Sequence, residues 1–321
     1  MTVAILIPNE VAKQLVSVRD AIEPMRSVFI DLARGKAETG PRYRMPTEAG
    51  FMQWGPGRWD TADRLGYKVW VNSGSPLSGA WIHLYKASTG ELLAVLEAHH
   101  VSLCRTSAVS LLGAQIAVPA DQGPVTIAVF GTGRQARGQI EAMCIGYDVA
   151  SLQIHGRDPG RREAFARDVE ESFRVKAVAV DEPRDAVAGA DIVVTATSSS
   201  TPVLHGAWLD EGTRVVVGMG ANRVYERELD EECVRQMKSI VVDDLGEAKS
   251  CCGDLLYLVE KGRLNWNSVG ELGEVLDGSV VLEHPTLFES QGLSVTDVAI
   301  ADWVYHAALE SGHRFETLPL T

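Results

Sequence analysis

A β-branched apolar run, Val125-Thr126-Ile127-Ala128-Val129-Phe130, enters the turn Gly131-Thr132-Gly133-Arg134-Gln135-Ala136, and the chain leaves it through residues 137–143 with helical spacing. That order constrains the fold more than the glycines do. In a βαβ unit that takes a dinucleotide, the first glycine makes the tight turn and the second lets backbone approach a pyrophosphate. The third small residue lets helix and strand pack closely. The phosphates then rest on unpaired N–H groups of the helix's first turn, where the macrodipole favours negative charge. A strand before the pattern and a helix after it lift it above chance. Gly131, Thr132, Gly133, Arg134, Gln135 and Ala136 are therefore candidate cofactor contacts.

From this turn onward strands and helices alternate, as in a doubly wound parallel sheet. Residues 151–156 form a second strand and 161–171 a charged helix. A third strand over 175–180 and a short helix over 183–190 follow. Further strands are expected over 191–197, 213–220 and 239–244. The region ahead of the turn reads differently. A short strand over 3–7 precedes a helix that Asn9 is expected to cap and that ends near Gly35, with Pro24 marking a break or a fresh start because it lacks a backbone donor. Alternating apolar and polar residues with Gly/Pro punctuation between 40 and 97 then predict antiparallel strands, including a hairpin turning at Ser88-Thr89-Gly90. Small residues over 102–114 suit a tightly packed helix, and residues 119–124 form a plausible linker. The expected class is α/β: a Rossmann doubly wound parallel sheet accompanied by an α+β region.

A chain of 321 residues accommodates two domains. The formal charge of −13 argues against broad binding to nucleic acid or anionic membranes, so an anionic ligand needs local basic residues. No apolar stretch reaches bilayer-spanning length. Five cysteines include no Cys-x-x-Cys pair, and no secretory leader pattern precedes them, so reduced thiols and a cytoplasmic protein are the default expectation. His83, His99 and His100 lack metal-ligand spacing with acidic or Cys partners, and no metal is expected.

The tip of the second strand bears on the cofactor. NAD-binding units usually place Asp or Glu there, roughly 20 residues past the glycines, to accept from the ribose 2′-hydroxyl. Here the tip reads His155-Gly156-Arg157-Asp158. Gly156 takes the acidic position and Arg157 offers a guanidinium suited to a 2′-phosphate, with Arg161 and Arg162 as reinforcement. NADP(H) is favoured on this ground. The alternative lays Arg157 over the adenine and lets Asp158 take the hydroxyl of NAD(H). Thr197, Ser198 and Ser199 end the fourth strand, where such a sheet meets its dinucleotide; Met219 and Gly220 end the next.

With that turn in place, other stretches resemble the ornithine cyclodeaminase and mu-crystallin family of amino- and imino-acid oxidoreductases. They are Gly66-Tyr67-Lys68-Val69, residues 97–108 (Glu97-Ala98-His99-His100 through Arg105-Thr106-Ser107-Ala108), Gly220-Ala221-Asn222-Arg223 with Arg227-Glu228-Leu229-Asp230, and residues 287–297. The resemblance implies a substrate-binding and dimerisation domain over 1–119 plus 295–321, around an inserted Rossmann domain over 120–294, assembled as a homodimer. It also implies that Arg42 and Arg105 bind a substrate carboxylate, that Lys68 lies beside the reacting carbon, and that Ser290 and Gly292 approach the nicotinamide. The chemistry fits: arginine offers a bidentate fork, and a partly buried lysine exchanges a proton near neutrality. Arg44 is an alternative to Arg42, since spacing does not choose between them.

Two positions depart from the pattern. Asn222 stands where the cyclodeaminases carry an Asp that acts as base, and Asn cannot accept a proton; mu-crystallin also lacks this Asp. Asn222 retains a catalytic role only as an orienting hydrogen-bonder. Glu226 replaces a Lys near the cofactor. Asp297 reads as a helix cap or first-turn acid rather than a base. The tryptophans at 54, 59, 70 and 81 either line an apolar pocket or, as strand tryptophans more often do, fill the core. The implied activity is an NAD(P)H-dependent oxidoreductase acting on the C=N or C–N bond of a small α-imino or amino acid, such as an imine or ketimine reductase. The alternatives are a cyclodeaminase-type ammonia lyase with recycled NAD and a non-catalytic, crystallin-like NADPH-binding protein.

Overall fold

Strands buried on both faces need near-continuous apolar runs, whereas strands with one wet face alternate. Both kinds occur in the computed structural model, which describes residues 3–75 and 78–319. The chain divides into one unit of Met1–Ala108 with Gly292–Thr321 and a second of Val109–Gln291.

In the first unit a mixed sheet runs in the order Glu316–Pro319, Val3–Ile7, Leu92–Glu97, Gly79–Lys86, Arg64–Asn72, Gly50–Trp59 and Ala37–Thr39, with Tyr43–Thr47 also paired to Gly50–Trp59. Among the described residues of this sheet, only Val3–Ile7 and Leu92–Glu97 pair in parallel. Helices Val18–Ala33 and Ser294–Glu310 pack on one another, and the second lies over Gly50–Trp59 and Arg64–Asn72. Phe29, Met25, Ile82, Leu84, Leu96 and Val298 are fully buried there. Trp59 belongs to this core, its Nε1 donating to Asp31 at 2.7 Å.

The first helical stretch departs from the expected form. It is two helices, Asn9–Leu15 and Val18–Ala33, broken at Val16-Ser17, where Ser17 and Asp20 form a capping box. Pro24 lies inside the second helix without ending it. Pro8 caps the first, and Asn9 instead caps another helix: its Oδ1 accepts from the His100 N–H at 2.9 Å in the first turn of Ala98–Gln115. A capping side chain need not serve its own helix, and sequence position cannot reveal which it serves.

The second unit holds a wholly parallel sheet in the order Ala177–Ala179, Val149–His155, Val125–Phe130, Ile192–Thr195, Val215–Gly218, Thr286–Glu289, Ser239–Val242 and Val269–Glu271. The strand order reverses between Val125–Phe130 and Ile192–Thr195, and at such a switch point the carboxyl ends of the strands open a crevice for ligands. Two strands were not anticipated, Val269–Glu271 and Thr286–Glu289. The latter is four residues long, ends in a fully buried Glu289, and sits between Val215–Gly218 and Ser239–Val242 although it follows every other strand of this sheet in chain order.

Candidate functional site

In the second unit a cavity of about 430 Å³ lies at that switch point, lined by residues 130–133, 155–158, Arg161 and 196–199 among others. Gly131 has φ +124°, and a Cβ there would fall 2.5 Å from the Ala196 carbonyl oxygen. Gly133 caps the helix Arg134–Gly146 with no side-chain cap bond, and a Cβ on it would meet only open space. Ala136 is buried beneath the turn. Tight turn, open cradle and uncapped helix start together fit the pyrophosphate of a dinucleotide. Thr132, Gly156, Arg157, Asp158, Thr197, Ser198 and Ser199 line the same cavity.

The other proposed cofactor contacts have different surroundings. Arg162 is turned inward, 3% exposed, donating to the Gly156 carbonyl at 2.8 Å and to Asp181. It braces the strand tip from beneath and does not line the cavity, because the helix Pro159–Phe173 presents Arg161 there instead. Asp158 caps that helix, its Oδ1 accepting from the Arg161 N–H at 2.7 Å. Arg134 and Gln135 begin the helix Arg134–Gly146 without appearing in the cavity wall. Met219 Sδ accepts from Ser110 Oγ at 2.8 Å, and the Gly220 N–H donates to Glu228. Ser290 is buried, with its hydroxyl donating to Asp243 at 3.0 Å. The Asn222 N–H donates to the Gly220 carbonyl in the turn after Val215–Gly218, and Glu226 pairs with Arg223 at 3.0 Å.

In the first unit a second pocket is lined by Arg42, Gln53, Trp54, Gly55, Lys68, Trp70, Arg105, Gly292, Leu293, Ser294 and Asp297. Lys68 projects from Arg64–Asn72, and Arg105 from the helix Ala98–Gln115. Asp297, in the first turn of Ser294–Glu310, joins them: Oδ2 lies 2.7 Å from Lys68 Nζ and Oδ1 accepts from Arg105 Nε at 3.0 Å. Gly292, at φ +75°, makes room for this arrangement, since a Cβ on it would fall 2.8 Å from Arg105 Nη1. It thus stands in the wall of the cationic pocket, beside Arg105.

Burial and neighbouring charge set the protonation of Lys68 and Asp297. Burial lowers Lys68 to about 8, with the Arg105 charge assisting and Asp297 opposing. Burial pushes Asp297 upward, yet the Arg105 guanidinium and the Lys68 ammonium outweigh it and hold the carboxyl below its ordinary range. Arg42 shares this pocket; Arg44 does not, its guanidinium donating to Gln53 and stacking 4.6 Å from the Phe51 ring centre. Trp54 and Trp70 add apolar walls. A lysine lowered to about 8, two arginines and aromatic flanks can hold a small carboxylate and exchange a proton with a group beside it.

Sequence reading assigned Asp297 a capping role and so missed its place at the centre of this cluster. The signal was weak, because its partner Arg105 lies 192 residues away. Gly55 and Gly57 were read as strand punctuation. In fact a Cβ at Gly55 would fall 2.3 Å from Ser294 Oγ, and one at Gly57 would fall 2.5 Å from Val295 Cα, so these glycines seat the helix that carries Asp297. Alternate glycines within a strand are a legible sign of such close approach.

Comparison with known proteins identifies relatives of this chain. Residues 2–312 match the ornithine cyclodeaminase/mu-crystallin family. An alanine dehydrogenase from Archaeoglobus fulgidus is 31% identical over 319 residues, 95% of each chain. A Δ1-pyrroline-2-carboxylate reductase from Bacillus cereus is 32% identical over 228 residues, 70% of this chain and 69% of the relative. Among solved structures, the Δ1-pyrroline-2-carboxylate reductase of Thermococcus litoralis in complex with NADH and L-proline is 28% identical, with a TM-score of 0.88 over 96% of this chain and 98% of that one.

Proposed function

Because the chain belongs to the ornithine cyclodeaminase/mu-crystallin family, we propose that it is an NAD(P)H-dependent oxidoreductase that reduces the C=N bond of a small α-imino acid, with cyclic imine carboxylates the favoured class. One observation carries this reading: Lys68 and Arg105 share the carboxylate of Asp297 in a pocket that also holds Arg42, Trp54 and Trp70.

A nicotinamide dinucleotide, when bound, would supply the hydride for the imine carbon. Residues 131–133 would hold its pyrophosphate, and the strand tip 155–158 its adenosine ribose. The chain's own groups do the rest. Arg42 and Arg105 grip the substrate carboxylate and so fix the imine beside Lys68. Lys68 Nζ, charged below about 8, gives its proton to the imine nitrogen as the carbon gains hydride and then recovers one from solvent. Asp297 keeps Lys68 charged at neutrality and fixes its direction. Trp54 and Trp70 exclude water from the carbon face and suit an apolar ring. A cyclodeaminase needs a base at the position of Asn222, and an amide cannot serve.

Two finer readings accompany this one. Arg157 and Arg161 line the cavity while Asp158 is engaged in capping, which supports NADP(H) over NAD(H). Met45, Met52 and Val71 lie directly opposite one another across three strands and are 57%, 38% and 43% exposed, a row that supports pairing with a second copy.

The test is a spectrophotometric screen of NADPH and NADH against cyclic imine carboxylates and against 2-oxo acids with ammonia or methylamine. Turnover on an imine, lost in Lys68→Met with dinucleotide binding retained, is the expected result. Ammonia release from ornithine or lysine without net change in nicotinamide absorbance overturns it in favour of cyclodeamination. Tight NADPH binding with no turnover across the panel favours a binding protein.

A further inference from the structure

Glu228 is fully buried in the second unit, yet every polar atom it carries has a hydrogen-bond partner, and both carboxylate oxygens take theirs from backbone N–H groups. Its Oε1 accepts from the Thr197 N–H at 2.6 Å, in the loop that follows Ile192–Thr195. Its Oε2 accepts from the Gly220 N–H at 2.7 Å, in the loop that follows Val215–Gly218. Its own N–H donates to Asp254 at 3.0 Å, and its carbonyl accepts from the N–H groups of Val203 and Leu204 at 2.8 and 2.9 Å. One side chain therefore joins the loops at the carboxyl ends of two neighbouring strands, and its backbone is pinned from both sides.

The local sequence is arranged around that carboxylate. A Cβ at Gly220 would lie 2.4 Å from Glu228 Cδ and 2.2 Å from the Thr197 carbonyl oxygen, so only glycine lets the two loops close on it. Glu289 lies nearby, and burial together with the neighbouring Asp254 and Glu228 carboxylates pushes its pKa well up. Burial also raises Glu228, against which the two N–H donors act.

We infer that Glu228 is a positioning residue for the dinucleotide, setting the separation of the Thr197 and Gly220 loops and hence the hold on the nicotinamide half. Thr197, Ser198 and Ser199 line the cavity. The inference rests on the cofactor reading above. A carboxylate is required because each oxygen must accept from a different loop; an amide keeps one acceptor and turns a donor towards the other N–H.

The experiment compares wild type, Glu228→Gln and Glu228→Ala for binding of NADPH and of adenosine 2′,5′-bisphosphate, which carries the adenosine end alone (NADH and AMP if the wild type prefers them). Glu228→Gln is expected to weaken the dinucleotide about tenfold, the scale of one lost hydrogen bond to a charged group. Glu228→Ala should weaken it further. The fragment should bind all three proteins within about twofold, because the strand tip it occupies does not involve Glu228. Equal weakening of fragment and dinucleotide, unchanged dinucleotide binding, or failure of both variants to fold overturns the inference. Wild-type protein that binds neither dinucleotide overturns the cofactor reading itself.

Discussion

Asp297 Oδ2 lies 2.7 Å from Lys68 Nζ, and this pair, with Arg105 on the other carboxylate oxygen, decides when the lysine carries its proton. Burial lowers Lys68 from its ordinary value to about 8, and Asp297 resists the shift. In the reductive direction the charged lysine is the proton donor, so kcat/KM should hold at neutral pH and fall through about 8. In the oxidative direction the neutral lysine is the base, and the profile should rise over the same interval. Asp297→Asn removes the opposing charge, so both limbs should move to lower pH. A limb that stays in place, or moves up, removes Asp297 from the control of Lys68. Linkage adds a stability effect of definite sign. Between about 8 and the unfolded lysine value near 10.4 the unfolded chain binds the extra proton, so this group makes stability rise with pH across that window.

Arg42 and Arg44 separate cleanly. Arg42 lines the pocket with Lys68, whereas Arg44 is engaged by Gln53 and Phe51. Arg42→Met should raise KM for the imino acid by about 10- to 100-fold, the scale of a lost charge-assisted carboxylate contact. Arg44→Met should change KM by less than about twofold, since Arg44 does not line the pocket and touches it only through Gln53, and should act on stability instead. Measured KM values in the reverse order would exchange the two roles.

Cofactor choice is tested best at Arg157. Gly156→Asp would restore an acidic tip, but its Cβ would fall 2.8 Å from Thr132 Cγ2, so that variant mixes steric and electrostatic effects. Arg157→Ala changes charge on an exposed side chain that faces the cavity. Its Kd for NADPH should rise by about tenfold, as expected for one charge-assisted phosphate contact, while its Kd for NADH stays level. Equal changes for the two dinucleotides would assign Arg157 to the adenine ring instead.

These tests bear unequally on what the sequence made visible. Parallel strands buried on both faces are written as runs such as Val215-Val216-Val217, and the glycine turn carries its own flanks, so most of the second unit was legible. Thr286–Glu289 escaped because four residues ending in a buried acid resemble a loop, and only the neighbouring strands make them a strand. The choice between Arg42 and Arg44 was illegible for another reason. Residues two apart in extended chain point to the same face, so periodicity treats them alike. Arg161 and Arg162 differ by one helical step, enough to send one into the cavity and the other into the protein, and only the helix phase decides which. Asp297 satisfied a local rule as a first-turn acid, and that rule concealed its distant partners.

Glycine roles in the two units can be set against each other by one chemical change. At Gly57 an added methyl would fall 2.5 Å from Val295 Cα and 2.6 Å from its nitrogen, backbone atoms that cannot rotate away. The helix Ser294–Glu310 would have to lift, at a cost of about 1–3 kcal/mol typical of overpacking. Asp297 rides on that helix, so Gly57→Ala should lower Tm and also weaken the tie to Lys68. At Gly133 the same methyl meets no atom within 4 Å. Gly133→Ala should therefore leave Tm unchanged yet weaken dinucleotide binding, because the methyl occupies the space the pyrophosphate must enter. Calorimetry and cofactor titration on the pair separate the two uses of glycine. If Gly57→Ala melts with the wild type, close packing of helix on strand does not position Asp297. If Gly133→Ala binds the dinucleotide normally, the turn is not its cradle.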